Sequence, residues 1–223
     1  MSCSQEQSMK YKLVIFDFDG TIADTSSGIV DSHKFALKAM HREIPDDNSL
    51  RSIIGGALLD TYMTVFGFNE NDAREAVGIY RKYYAENGIH KARLYPGFMK
   101  MIKELRGGGC KMGVATLKAE KFANIMLDEF GIKDLFDTVH GIDDNDTLSK
   151  ADLIKFCISE CSVKQDETIL IGDSLNDYKG AQQAGIDFLG VTYGFGFKPD
   201  EKYTFNTVGS VKDIAGVIKK EVM

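Results

Sequence analysis

Residues Lys12 to Phe18, K-L-V-I-F-D-F, are almost continuously apolar and give way only at Asp17. This is the pattern of a strand buried on both faces, as the strands of parallel sheets are. From Leu94 onward the two periodicities alternate. Phe98, Met101, Ile102 and Leu105 keep helical spacing, Lys111 to Leu117 reads as a strand, and Phe122, Ile125, Met126 and Phe130 form a second helical stripe closed by Gly131. Further strands are predicted at Asp137 to Ile142, Thr168 to Gly172 and Phe188 to Thr192, with helices at Ala151 to Glu160, Asn176 to Ala184 and Val211 to Lys220. Such alternation predicts an α/β fold with a doubly wound parallel sheet.

One stretch breaks the pattern. Between Asp24 and Arg93 the helical spacing of Ile29, His33, Leu37 and Met40 is followed by two more helical segments, Leu58 to Phe66 and Asn71 to Glu86, with no strand between them. Pro45 and the Gly55-Gly56 pair punctuate this block, and Pro96-Gly97 marks the return to the sheet. The expected organisation is a core of residues 1–23 plus 94–223, with an all-helical domain, 24–93, inserted after the first strand.

Composition narrows the function. The 223 residues are 43% hydrophobic and 27% charged, as in an ordinary globular chain. A net charge of -6 argues against nucleic acid as a partner. No apolar run reaches the length of a membrane span, and the polar stretch Met1 to Lys10 lacks a signal peptide's apolar segment, so a cytoplasmic protein without membrane association is expected. Cys3, Cys110, Cys157 and Cys161 form no C-x-x-C pair, and His33, His41, His90 and His140 are scattered; neither set has metal-ligand spacing. Both are read as structural or surface residues.

The chemistry is acidic and sits where strands end, which is where open α/β sheets bind ligands. The first strand runs into Asp17-Phe18-Asp19-Gly20-Thr21, and the Thr168 strand runs into Gly172-Asp173-Ser174-Leu175-Asn176-Asp177. Carboxylates crowded together raise one another's pKa values and are tolerated mainly around a cation, and an all-oxygen set suits Mg²⁺. Thr116, ending V-A-T, and Lys150, opening the helix after the third strand of the core, add a hydroxyl donor and a fixed cation to the same rim, as a phosphoryl group requires.

D-F-D-G-T, Thr116, Lys150 and G-D-S-L-N-D, in that order, resemble the four signature motifs of the haloacid dehalogenase superfamily of phosphohydrolases. The helical insertion resembles that superfamily's small cap. Segments such as Leu94 to Phe98, L-Y-P-G-F, and Val191 to Gly196, V-T-Y-G-F-G, look most like its phosphoglycolate phosphatase-like subgroup. The resemblance implies a Mg²⁺-dependent phosphatase that hydrolyses a small phosphorylated metabolite through an aspartyl-phosphate. Asp17 would be the nucleophile and Asp19 the acid-base. Thr116 and Lys150 would hold the phosphoryl group. The Asp17 carboxylate, the Asp19 carbonyl and Asp173 would ligate the metal, with Asp177 orienting Lys150 or a metal-bound water. Where many relatives have lysine followed by proline, Lys150 precedes Ala151-Asp152, which leaves Lys155 as the alternative. Gly55-Gly56-Ala57-Leu58 replaces the G-x-P-L frequent in caps. A 5'-nucleotidase and a β-phosphoglucomutase-like mutase share the core residues and stay open. A receiver-type phospho-switch is disfavoured by Asp19 and the insertion. Within the cap, Arg51 is the candidate to reach the substrate, and Tyr80, Tyr83 and Tyr84 are expected to pack against the cap interior. Monomer and homodimer are both compatible with the chain.

Overall fold

The computed structural model describes residues 9–143 and 147–219; Cys3, the first eight residues and Lys220 of the last predicted helix lie outside them. Six parallel strands form one sheet in the order β5-β4-β1-β6-β7-β8. They are β1 (Leu13–Phe16), β4 (Lys111–Ala119), β5 (Thr138–Ile142), β6 (Thr168–Gly172), β7 (Asp187–Val191) and β8 (Asn206–Val208). A separate antiparallel pair, β2 (Ala23–Asp24) and β3 (Arg93–Leu94), joins the two ends of the helical insertion. The first strand is therefore the middle of the sheet, and its side chains alternate between two cores. Val14 and Phe16 face the cluster built with α5 (Phe98–Gly107), α6 (Glu120–Glu129) and α9 (Val211–Ile218), while Leu13 and Ile15 face α7 (Lys150–Cys161) and α8 (Leu175–Ala184).

The insertion holds four α-helices, α1 (Ser26–Ala39), α2 (Asp47–Ser52), α3 (Leu58–Thr64) and α4 (Glu70–Tyr83), and two short turns of other helical type, Tyr84–Gly88 and Ile89–Lys91. His33 lies among the rings of Tyr62, Phe66 and Tyr80, its Nδ1 3.2 Å from the Tyr62 hydroxyl. Burial lowers the His33 pKa to about 4, so at neutral pH it acts as an uncharged aromatic in the cap interior. Short α2 was not expected from periodicity. It starts because the Asp46 carboxylate accepts from the amides of Asn48 and Ser49. β8 and the β2-β3 pair were also unexpected, being two or three residues long and formed by pairing rather than by an apolar run. Cys110, Cys157 and Cys161 are buried and unpaired, as expected of structural thiols.

Candidate active site

Register brings the acidic segments level. Phe16 pairs with Val114 on one side and Ile171 on the other, so the residues just beyond, Asp17, Thr116 and Asp173, emerge on one rim of the sheet. Asp17 extends the pairing by donating its amide to the Ile171 carbonyl at 2.9 Å. After it the chain turns tightly. The Phe18 ring is fully buried, and its carbonyl accepts from the amides of Thr21, Ile22 and Ala23. With Phe18 directed into the core, its neighbours Asp17 and Asp19 are both set toward the rim.

Each of these carboxylates meets its own buried lysine. Lys150 Nζ lies 2.5 Å from Asp17 Oδ1 and 2.7 Å from Asp177 Oδ1, and donates to the Ala115 carbonyl at 2.8 Å. Lys118 Nζ lies 3.0 Å from Asp19 Oδ1 and donates to the Tyr84 hydroxyl at 3.0 Å. Burial works against both ammonium groups, but the facing carboxylates more than offset it and the two lysines hold their protons more tightly than usual. Lys155 is exposed on α7 and touches neither carboxylate. The geometry thus selects Lys150 over Lys155 as the cation beside Asp17.

Local structure explains how this is held. Ser174 and Asp177 form a capping box at the start of α8. The Ser174 hydroxyl and amide donate to Asp177 Oδ2 at 2.6 and 3.0 Å, which leaves Asp177 Oδ1 for Lys150. Gly180, one turn further on, gives the Lys150 stem its room; a methyl group there would lie 2.9 Å from Lys150 Cβ. Asp173 Oδ2 accepts from the amides of Phe195 at 2.6 Å and Gly196 at 3.3 Å. The Gly194-Phe195-Gly196 stretch thus closes over Asp173.

Carboxylate oxygens of Asp17, Asp173 and Asp177, all buried, can lie within 4.8 Å of one another. Burial raises the Asp17 and Asp173 pKa values, and the Asp177 charge adds to both rises. Lys150 opposes the rise at Asp17, as the Phe195 and Gly196 amides do at Asp173. Three desolvated carboxylates beside one ammonium leave excess negative charge, and their all-oxygen donor set fits a hard divalent cation. Asp19 is outside this side-chain cluster because its carboxylate is turned to Lys118.

A cavity of about 50 Å³ extends from Asp17, Asp19 and Thr116 toward the cap. Its far wall carries Arg81, Tyr80 and Tyr84 from the end of α4 and the turn that follows, and the loop Ile53 to Leu58 covers it. Arg51 does not line it. The exposed Arg51 donates from Nη2 to the Ser26 hydroxyl at 2.5 Å, and that hydroxyl donates to Asp24 at 2.7 Å, tying α2 to the base of the cap. The cationic wall is made by Lys118 and Arg81, neither of which stood out in the sequence. The one available signal was the position of Lys118 two residues after Thr116, on the irregular end of β4 where its register against β5 shifts. Of the three tyrosines, Tyr80 packs in the cap, Tyr83 stacks on Phe35 at the surface, and Tyr84 crosses to the core. Among the described residues no helix is long and apolar enough to cross a membrane.

The profile of the haloacid dehalogenase-like hydrolases matches residues 14–191. A 5'-nucleotidase of Pseudomonas aeruginosa is 32% identical over 86% of this chain and 87% of its own. A phosphoglycolate phosphatase of Vibrio parahaemolyticus is 28% identical over 82% of this chain and 85% of its own. Among solved structures, a predicted phosphatase from Clostridium acetobutylicum superposes with a TM-score of 0.88 at 30% identity, covering 93% of this chain and 98% of that one.

Proposed function

This chain belongs to the haloacid dehalogenase-like hydrolase family and is a phosphatase, and on that premise we propose that it hydrolyses a small phosphate monoester through an aspartyl-phosphate on Asp17. The observation that carries the reading is the pair of buried carboxylates at the end of β1, each held by a separate buried lysine. Asp17 attacks phosphorus, and the bond from phosphorus to the ester oxygen breaks. Asp19 gives its proton to the departing oxygen, then takes one from the water that hydrolyses the aspartyl-phosphate, so acid and base are regenerated in turn. The Thr116 hydroxyl and the Lys150 ammonium hold the non-bridging oxygens, and the link from Lys150 to Asp177 keeps that ammonium aimed at Asp17. Asp17 and Asp173, with the Asp19 carbonyl, would hold Mg²⁺, while Asp177 orients Lys150. When bound, the metal neutralises the charge of an anionic substrate approaching an anionic nucleophile. In this reading residues 24–93 are the cap and the rest of the chain is the catalytic core.

Cavity size and charge favour a short leaving group with its own negative charge. The whole cavity from Asp17 and Asp19 to the cap is about 50 Å³ and carries Lys118 and Arg81 on its walls, which suits a carboxylate on a single methylene better than a nucleoside. Phosphoglycolate has that form. A 5'-nucleotidase is the second reading, supported by the 32% identity to the Pseudomonas aeruginosa 5'-nucleotidase. Initial rates on phosphoglycolate, nucleoside 5'-monophosphates and hexose phosphates, with Mg²⁺ and after EDTA, test the proposal. The expected result is metal-dependent hydrolysis, fastest on the short acidic ester. EDTA-resistant turnover, or none on any ester, overturns it.

A further inference from the structure

We infer that Tyr84 is a positioning residue for the active-site cation Lys118, and that through this contact the seating of the cap is coupled to phosphoryl transfer; the inference rests on the phosphatase reading above. Tyr84 belongs to the inserted segment but is 1% exposed and faces the core. Its ring stacks on Tyr80 in the cap and meets Phe122 of α6 edge-on at 5.3 Å. Its hydroxyl accepts from Lys118 at 3.0 Å and contacts the Met126 sulfur at 3.6 Å. Lys118 Nζ lies 4.5 Å from the centre of that ring, on its hydroxyl side. From the other side Lys118 meets the core, Asp19 at 3.0 Å and the Phe18 ring at 5.9 Å.

The backbone here departs from regular helix. After α4 the chain forms a five-residue π-helical turn, Tyr84–Gly88, a rare arrangement concentrated at functional sites. The same turn lets Gly88 abut Gly28 of α1, where an added methyl would collide with the Gly88 carbonyl. The turn is thereby fixed to the first helix of the cap while its leading residue touches the active site. A long ammonium side chain buried beside the acid-base has several rotamers available. The Tyr84 hydroxyl selects the one that faces Asp19 and the leaving-group cavity, and it does so only while the cap is seated.

The test is a double-mutant cycle of Tyr84→Phe and Lys118→Gln on the best alkyl phosphate substrate, with Tyr83→Phe as a surface control and thermal unfolding of every variant. Tyr84→Phe keeps the ring and removes the hydroxyl. It is expected to lower kcat roughly fivefold to tenfold, the weight of one ordinary hydrogen bond, with KM changed less than about twofold and Tm near wild type. The double variant is expected to be no slower than Lys118→Gln alone, because the hydroxyl acts through the ammonium. Wild-type kcat in Tyr84→Phe, additive losses in the double variant, or an equal loss in Tyr83→Phe each overturn the inference. If Lys118→Gln does not fold, Tyr84→Phe against Tyr83→Phe still decides it. Absence of turnover in the wild type overturns the phosphatase reading instead, so the two failures are distinct.

Discussion

The two walls of the cavity were built by different rules. On the core side, Asp17, Thr116 and Asp173 stand at strand ends, where the register of β1 against β4 and β6 fixes their height and direction. On the cap side, Arg81, Tyr80 and Tyr84 come from the end of a helix and an irregular turn, and what they face depends on how that helix docks. A parallel sheet turns sequence order into site geometry, because every strand end points to the same rim. A cap gives no such guarantee: helical spacing marks the stripe that is buried, not what lies opposite it.

The core wall is expected to fail completely at one atom. Asp17→Asn is nearly isosteric and preserves shape, but an amide is not an anionic nucleophile. Turnover of every monoester should fall below detection while circular dichroism and Tm stay close to wild type. Residual activity above about a tenth of wild type removes Asp17 from the nucleophilic role, and with it the claim that the strand ends carry the chemistry.

The next largest effect contrasts two helical glycines. In an ordinary helix, glycine to alanine gains about 0.5–1 kcal/mol of stability. Gly78 on α4 has open space where a methyl group would go, so Gly78→Ala should stabilise by about that amount and leave kinetics alone. Gly180 on α8 faces the Lys150 stem, so Gly180→Ala should reverse the sign, destabilising by about 1–3 kcal/mol as overpacked sites do and lowering kcat through a displaced Lys150. Denaturant unfolding and initial rates on both variants decide it. Equal stabilisation by the two substitutions means that α7 and α8 yield easily and that the rigidity assigned to the core wall is overstated.

This contrast also explains what could be read from the sequence. The sheet, its helices and the four motif segments were legible because a buried parallel strand is an apolar run and its chemistry follows at a fixed offset. Lys150 was the first choice from motif order, with Lys155 as the alternative because no proline follows Lys150; both lie on α7, and the structure brings Lys150 to Asp17. Lys118 was missed because a lysine near a strand end is ordinarily solvated, and its burial depends on Asp19 and on Tyr84 from another part of the chain. Arg51 drew attention through the glycines that follow it, yet its guanidinium is spent on Ser26 at the cap base.

The cap wall is sharpened by comparing Arg81, which lines it, with Arg51, which does not. Arg81→Ala should raise KM for phosphoglycolate about tenfold and change hydrolysis of p-nitrophenyl phosphate little, because only the former presents a carboxylate to that wall. Arg51→Ala should leave both KM values within about twofold. The opposite ranking transfers the substrate contact to Arg51 and requires a cap position different from the one described.

The smallest effect belongs to the seam between the walls. Asn176, exposed on the first turn of α8 between Asp173 and Asp177, donates from Nδ2 to the Gly55 carbonyl at 3.0 Å. Gly55 adopts φ +96 and lies beside Ser174, so the cap loop meets the core where its backbone carbonyl is available. One exposed hydrogen bond contributes about 0.5–1 kcal/mol, which amounts to a twofold to fivefold shift between covered and uncovered cavity. Asn176→Ala should therefore raise KM two- to threefold with kcat unchanged, and amide exchange across Ile53 to Leu58 should quicken by a similar factor. Unchanged exchange would mean that apolar packing of Ile53 and Ile54 closes the loop without help. Faster exchange with unchanged KM would mean that the loop opens and closes much faster than substrate binds. Either result bears on the cap alone, because Asn176 makes its bond to a cap carbonyl and the carboxylates beside it are held by Lys150, Ser174 and the Phe195 amide.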